Sequence, residues 1–448
     1  MQDVQGNRLS GATAAGAAAL DAAVRAFNLY RGDPLAELDR AAAAAPTMPM
    51  VPITRAWLLA MAVEPAAAVE ARGIVAGVRA MPMDERERSH LAALDHVLAG
   101  EWDTAALALD NHTMRWPRDL LALQVGHLID FFRANARDLS DRITRALPFW
   151  AEDVPGRSVV LGMLAFGLEE TGDYARAEAA GRAAVAAEPL DCWAHHAVAH
   201  VMEMQGRAED GIGWMAAREP YWTGDGNFFQ VHNWWHKALC HLDLSQADAV
   251  LALYDGPVRG GRSQVAIDLV DAAALLWRMA LTGVDPGARW AELSIAWEAH
   301  ADGRLYPFND WHAIMAHLGA GRDATADRLL TAMRATAAGE GQIAAWTRTT
   351  GLPLALGFTA FWRGRDAEAA AQLHAARFIA NRFGGSHAQR DVIDWTLAEA
   401  ALRAGDRTMA ESLAHERLAI KPHSPVNRAF LRRARALGTA NVPAPVAA

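Results

Sequence analysis

A glycine turn followed five residues later by a small side chain recurs along the chain, and it constrains the fold more than any other feature. It appears as Gly100 with Ala105, Gly172 with Ala177 and Gly206 with Gly211. It returns as Gly321 with Ala326, Gly364 with Ala369 and Gly405 with Ala410. Pro117, Pro189 and Pro422 each follow one of these glycines at the same distance. Glycine ends a helix in a left-handed cap, the small residue lets the next helix pack back closely, and proline punctuates the exit. The chain therefore reads as a series of helix pairs.

The step from Gly172 to Gly206 is 34 residues, the tetratricopeptide period. Later steps are longer, so the repeats are degenerate and carry insertions. Between the glycines apolar residues fall at helical spacing, as at Leu161, Leu164, Ala165 and Leu168. The expected fold is all-α: a tetratricopeptide-like helix-turn-helix α-solenoid without strands. Three segments are expected: an N-terminal helical cap over 1–85, the solenoid over 86–425, and a C-terminal helix with a frayed tail over 426–448. Pro46, Pro49, Pro52 and Pro65 interrupt the helical pattern in the first segment.

Composition narrows the function classes. A formal charge of −9 does not suit a nucleic-acid-binding surface, which needs a basic stripe. Two cysteines, Cys192 and Cys240, supply neither a disulfide framework nor a thiolate zinc module. No basic segment precedes the Ala-rich start, and no uncharged apolar run reaches membrane-spanning length. The expectation is a cytoplasmic protein with no nucleic-acid or membrane partner.

Several strings are more specific than the repeat consensus: "LPFWAEDVP" at 147–155, "HHAVAHVMEMQGRAEDGIGWM" at 195–215, "HNWWHKAL" at 232–239, "DLVDAAALLWRM" at 268–279, "FNDWHAIMA" at 308–316 and "GGSHAQRDV" at 384–392. In these the chain resembles the tetratricopeptide repeat protein 38 family, over about Arg86 to Pro425. The resemblance implies an α-solenoid and no particular biochemical activity. His387 departs from the family pattern, so an essential role is not carried over to it.

Chemistry is suggested by two histidine pairs, His196/His200 and His232/His236, each four residues apart and separated by 36 residues. A four-residue step places both members on one helix face, and the interval places the pairs on neighbouring, roughly parallel helices. Glu203 continues the first stripe. A superhelix can bring these residues together with His127, Asp271, Asn309, Asp310 and His312 around one cavity. Neutral imidazole and carboxylate suit zinc, iron or manganese. Without metal they suit acid–base pairs. His196, His200, His232, His236 and His312 are the candidate metal ligands. His200, His236 and His312 are equally the candidate acid–base groups, with Glu203, Asp271 and Asp310 as orienting or proton-accepting carboxylates. The plain alternative is that each histidine is a structural, hydrogen-bonded core residue.

Sixteen tryptophans are present, and Trp193, Trp214, Trp222, Trp234 and Trp235 crowd the histidine pairs. Most read as core, while a few, such as Trp235, can wall an apolar pocket. Cys240 reads as a buried thiol. Arg390 can fork onto a ligand carboxylate or onto a glutamate of a neighbouring repeat, the second being the better fit. Two functions follow. One is a pocket that binds or transforms a small molecule, with metal-assisted hydrolysis the default reaction. The other is a non-catalytic scaffold that holds a peptide or protein partner in its groove.

Overall fold

The structure, a computed structural model, describes residues 1–438. The expected tail from Asn441 onwards lies outside the described residues. From Ala14–Leu29 to Pro425–Ala436 the chain is helix after helix, and among the described residues extended pairing is limited to two isolated bridges. The protein is an all-α, tetratricopeptide-like solenoid of helix pairs.

Local rules read from the sequence account for the pairs. All six turn glycines lie in the left-handed region, with φ between 67° and 82°. Helices end at Arg115, Ala187 and Ile420, two residues before Pro117, Pro189 and Pro422. Ala105, Ala177, Ala326 and Ala369 are fully buried where successive helices touch. At Gly211 an added Cβ would stand 2.8 Å from Cys240 Sγ, so the small residue is required there. Two further turns carry no glycine: Ala134 (φ 51°) and Ser245 (φ 60°) take the left-handed position instead. A glycine search passes over those two repeat boundaries.

The first segment is also helical, with helices Pro34–Ala44, Met50–Met61 and Pro65–Val78 after the first. None of Pro46, Pro49, Pro52 and Pro65 interrupts a helix: Pro46 lies in the turn after Pro34–Ala44, and the other three stand at helix starts. Pro65 opens one, and Pro49 and Pro52 stand at the start of another, where the missing N–H has no helical partner to lose.

Alternate helices differ in burial. Leu120–Phe132, Cys192–Met204 and Pro307–Gly319 are buried on nearly every face, whereas Tyr174–Ala187 and Asp323–Ala337 bury a single stripe. The inner helices are covered because the chain closes on itself. Gly32 donates its N–H to the Gly226 carbonyl (2.7 Å) and Phe228 to that of Tyr30 (2.9 Å). Tyr306 Oη donates to the Phe132 carbonyl (3.1 Å), and the His387 N–H to Glu170 (2.9 Å). The interior is consequently a packed core with a cavity, and polar side chains on inner helices are deeply desolvated.

Asp191 caps Cys192–Met204, the helix that carries the first histidine pair; its carboxylate accepts from the Ala194 N–H at 2.9 Å. Burial pushes its pKa up to about 7, above an unfolded value of about 3.9. The folded state therefore holds the proton more tightly, and the associated stability is lost as pH rises from about 4 through 7. Asp191→Ala is expected to lower unfolding free energy by about 1 kcal/mol at pH 5. Asp191→Asn keeps a capping oxygen and should gain on wild type between pH 5 and pH 8 in chemical denaturation. An Asn variant that tracks wild type at both pH values contradicts this account.

Candidate metal centre

The 0, 4, 7 stripe on Cys192–Met204 presents His196, His200 and Glu203 to the adjacent helix Gln230–Asp243, which presents His232 and His236. All five side chains are buried. The four imidazoles converge, each offering a nitrogen within 4.8 Å of those of the other three. His232 Nε2 lies 3.1 Å from His196 Nε2 and 3.2 Å from His236 Nε2. Four nitrogens at about 2.0–2.1 Å from a tetrahedral ion stand roughly 3.3 Å apart, close to both separations.

Carboxylates hold the far sides of two rings, and a third carboxyl group stands near His200 without a hydrogen bond to it. His232 Nδ1 is 2.8 Å from Asp271 on Ala266–Leu281, and His236 Nδ1 is 3.0 Å from Glu203. His200 Nδ1 faces Glu169 of Arg157–Glu170 at 3.3 Å. Phe166 stacks on His196 with ring centroids 5.4 Å apart. With Nδ1–H donated to an ionised carboxylate, a neutral imidazole has a bare lone pair on Nε2. With Asp271 and Glu203 both ionised, two such lone pairs, on His232 and His236, face each other at hydrogen-bond distance; burial raises the Asp271 pKa, and a proton on Asp271 instead lets His232 donate Nε2–H to His236. A cation resolves the conflict between the facing lone pairs.

Protonation of the rings resolves it poorly. Burial, reinforced by the neighbouring imidazoles, holds His196 and His236 well below the ordinary histidine pKa, and burial takes His200 down to about 4. Burial and the adjacent Glu170 raise Glu169 well above the carboxylate range; neither of its oxygens has a hydrogen-bond partner. Neutral imidazoles backed by carboxylates are the donor arrangement of zinc, iron, copper or nickel sites.

The other candidates lie elsewhere. His312 donates Nδ1–H to the Phe308 carbonyl (2.8 Å) and packs on Trp311, outside the four-histidine group. Asp310 accepts from the Gly303 N–H (2.9 Å), fixing a loop, with its pKa pushed up to about 8 by burial. His312 thus turns to the backbone of its own helix and Asp310 to that of the preceding loop, so neither joins the four-histidine group. His127 packs edge-on to Phe166 and Trp193, one layer behind His196, with neither ring nitrogen hydrogen-bonded. Arg390 contacts Glu170 (3.3 Å) and the Gly384 carbonyl, so it braces a loop through the pairing with a glutamate of another repeat. Trp235 stacks on His232 at 5.3 Å. Cys240 is a buried thiol outside the histidine group. The carboxylates stand behind the imidazoles and leave no oxygen in the inner set, which weakens the manganese expectation.

A second histidine cluster has different chemistry. Asp119 receives His90 Nε2 at 2.9 Å and His112 Nε2 at 3.2 Å, and pairs with Arg86. Trp57 Nε1–H points at His90 Nδ1, while His112 Nδ1 meets Ser89 Oγ. Every ring nitrogen has a partner, so this is a hydrogen-bond hub.

Beside the four-histidine centre lies a cavity of about 540 Å³ whose lining includes His196 and His232. Asn309 lies on its wall and donates to the Val63 carbonyl (3.1 Å). Glu169 and the N-terminal part of this wall escaped the sequence reading. Glu169 was detectable by repeat symmetry: it precedes Gly172 by three residues, as Glu203 precedes Gly206. The wall residues Phe27, Tyr30 and Leu59 carry no local signal.

No family model matches the chain. Among solved structures the chain is similar to one described as "Crystal structure of APC/C hetero-tetramer Cut9-Hcn1", at 13% identity and a TM-score of 0.41, over 94% of this chain and 76% of that one.

Proposed function

We propose that this protein is a metal-binding solenoid, in which His196, His200, His232 and His236 hold one transition-metal ion and Asp271 and Glu203 orient two of the rings. The observation that carries this reading is the facing pair of Nε2 atoms on His232 and His236, each ring engaged at Nδ1 by a carboxylate. Elemental analysis by inductively coupled plasma mass spectrometry on untagged protein tests it. Close to one zinc, iron, copper or nickel per chain is expected, and none in His200→Ala/His236→Ala. Metal-free protein from metal-replete cells sinks the reading.

The fold supports a second reading. Helix-pair solenoids commonly present extended surfaces to other proteins, and Tyr221 and Phe228 are exposed apolar side chains. On this scaffold reading the four histidines are structural. The double variant then changes stability alone, and wild type carries no stoichiometric metal.

A further inference from the structure

The cavity beside the histidines has a consistent chemistry. Tyr30 stacks with Trp193 at 5.8 Å and 20° and with Phe228 at 6.3 Å and 18°. With Phe229, 4.8 Å from Tyr30 and tilted 35° to it, these rings make an aromatic wall. About 540 Å³ is within the usual range for small-molecule sites.

The polar groups on the lining are mostly committed to the fold. Asp33 caps Pro34–Ala44 through the N–H groups of Leu35 and Ala36. Glu64 accepts from the Ala266 N–H at 2.9 Å, and Arg31 donates to the Tyr221 carbonyl at 3.1 Å. Ser386 and Gln389 satisfy each other in a capping box. Arg31, Asp33 and Glu64 keep their charges, but all three are half-buried or exposed, and no Arg, Lys, Asp or Glu stands on the buried part of the lining. What remains polar at the inner end is the edge formed by His196 and His232.

We propose that this chamber binds an uncharged, largely apolar small molecule, lying along the aromatic wall with its one polar end at the His196/His232 edge of the metal centre. The chamber assignment stands on its lining; the placement of the polar end rests on the metal reading above.

Two measurements test it on the full chain. N-phenyl-1-naphthylamine, an uncharged apolar dye, is expected to bind one-to-one with a rise in fluorescence. Ala62→Phe, at a half-buried lining position away from the histidines, should weaken it at least about tenfold with metal content unchanged. Absence of dye binding, or equal binding by a folded Ala62→Phe protein, overturns the chamber. In cobalt-loaded protein, 1-octanethiol should add as a fifth ligand and produce a thiolate-to-cobalt absorption band at a concentration at least about 100-fold below that needed with ethanethiol, because its longer chain leaves water for the apolar wall; no band with either thiol overturns the placement of the polar end. Equal concentrations overturn the alignment of chamber and metal. A protein that takes the dye one-to-one but binds no cobalt overturns the metal reading and the placement of the polar end, while the apolar ligand stands.

Discussion

Stripping the metal with a chelator is expected to lower the unfolding midpoint by several degrees, and adding back the ion should restore it. An ion present at roughly 1,000 times its dissociation constant stabilises the folded chain by about 4 kcal/mol, and in a protein of this size that is a shift of a few degrees. The mechanism is local. Without the ion, four desolvated imidazoles crowd one another, and the two inner helices that carry them lose a shared tie. His200→Ala/His236→Ala should melt near the stripped wild type and ignore both chelator and metal. Asp271→Ala should still bind, but with affinity reduced about 10- to 100-fold, because its carboxylate orients His232 from outside the ligand set. A midpoint in wild type that chelator leaves unchanged, at full removal of metal, contradicts a stabilising role for the ion.

Asp119→Ala is the other substitution with a large expected effect, and it distinguishes the two histidine clusters. Asp119 is 2% exposed and accepts from Arg86, His90, His112 and the Ala122 N–H. Its removal leaves the Arg86 guanidinium buried beside two imidazoles that have each lost their Nε2 partner, and uncaps helix Leu120–Phe132. Breaking one side of a buried ion pair costs about 3–5 kcal/mol, measurable by denaturant titration. Metal content per folded chain should stay at the wild-type value. Loss of metal at Asp119→Ala with little change in stability would mean that the hub, and not the four-histidine group, holds the ion.

Legibility in the sequence followed the range of the interaction. The pairs His196/His200 and His232/His236 could be placed on facing helices because a four-residue step and a repeat-length interval are properties of the helix and of the repeat. Glu203 followed from the same stripe. Asp310 and His312 sit on an inner helix as expected, yet their polar atoms turn to nearby backbone, a choice of rotamer that helical spacing does not encode. Ala134 and Ser245 hid two repeat boundaries because a left-handed turn had been sought through glycine.

The sequence by itself determined the helix pairs, their glycine and proline punctuation, and the two histidine stripes, since each depends on backbone geometry within one or two turns. Tertiary structure decided which carboxylate stands behind which imidazole, that the second histidine cluster has every ring nitrogen partnered, and that the N-terminal helices wall a cavity against His196 and His232. Those outcomes depend on how the solenoid curves and closes, through contacts such as Phe228 with Tyr30 and His387 with Glu170. Residues roughly 200 positions apart meet there because packing the inner helices leaves them no other cover, and no local pattern in the chain records that meeting.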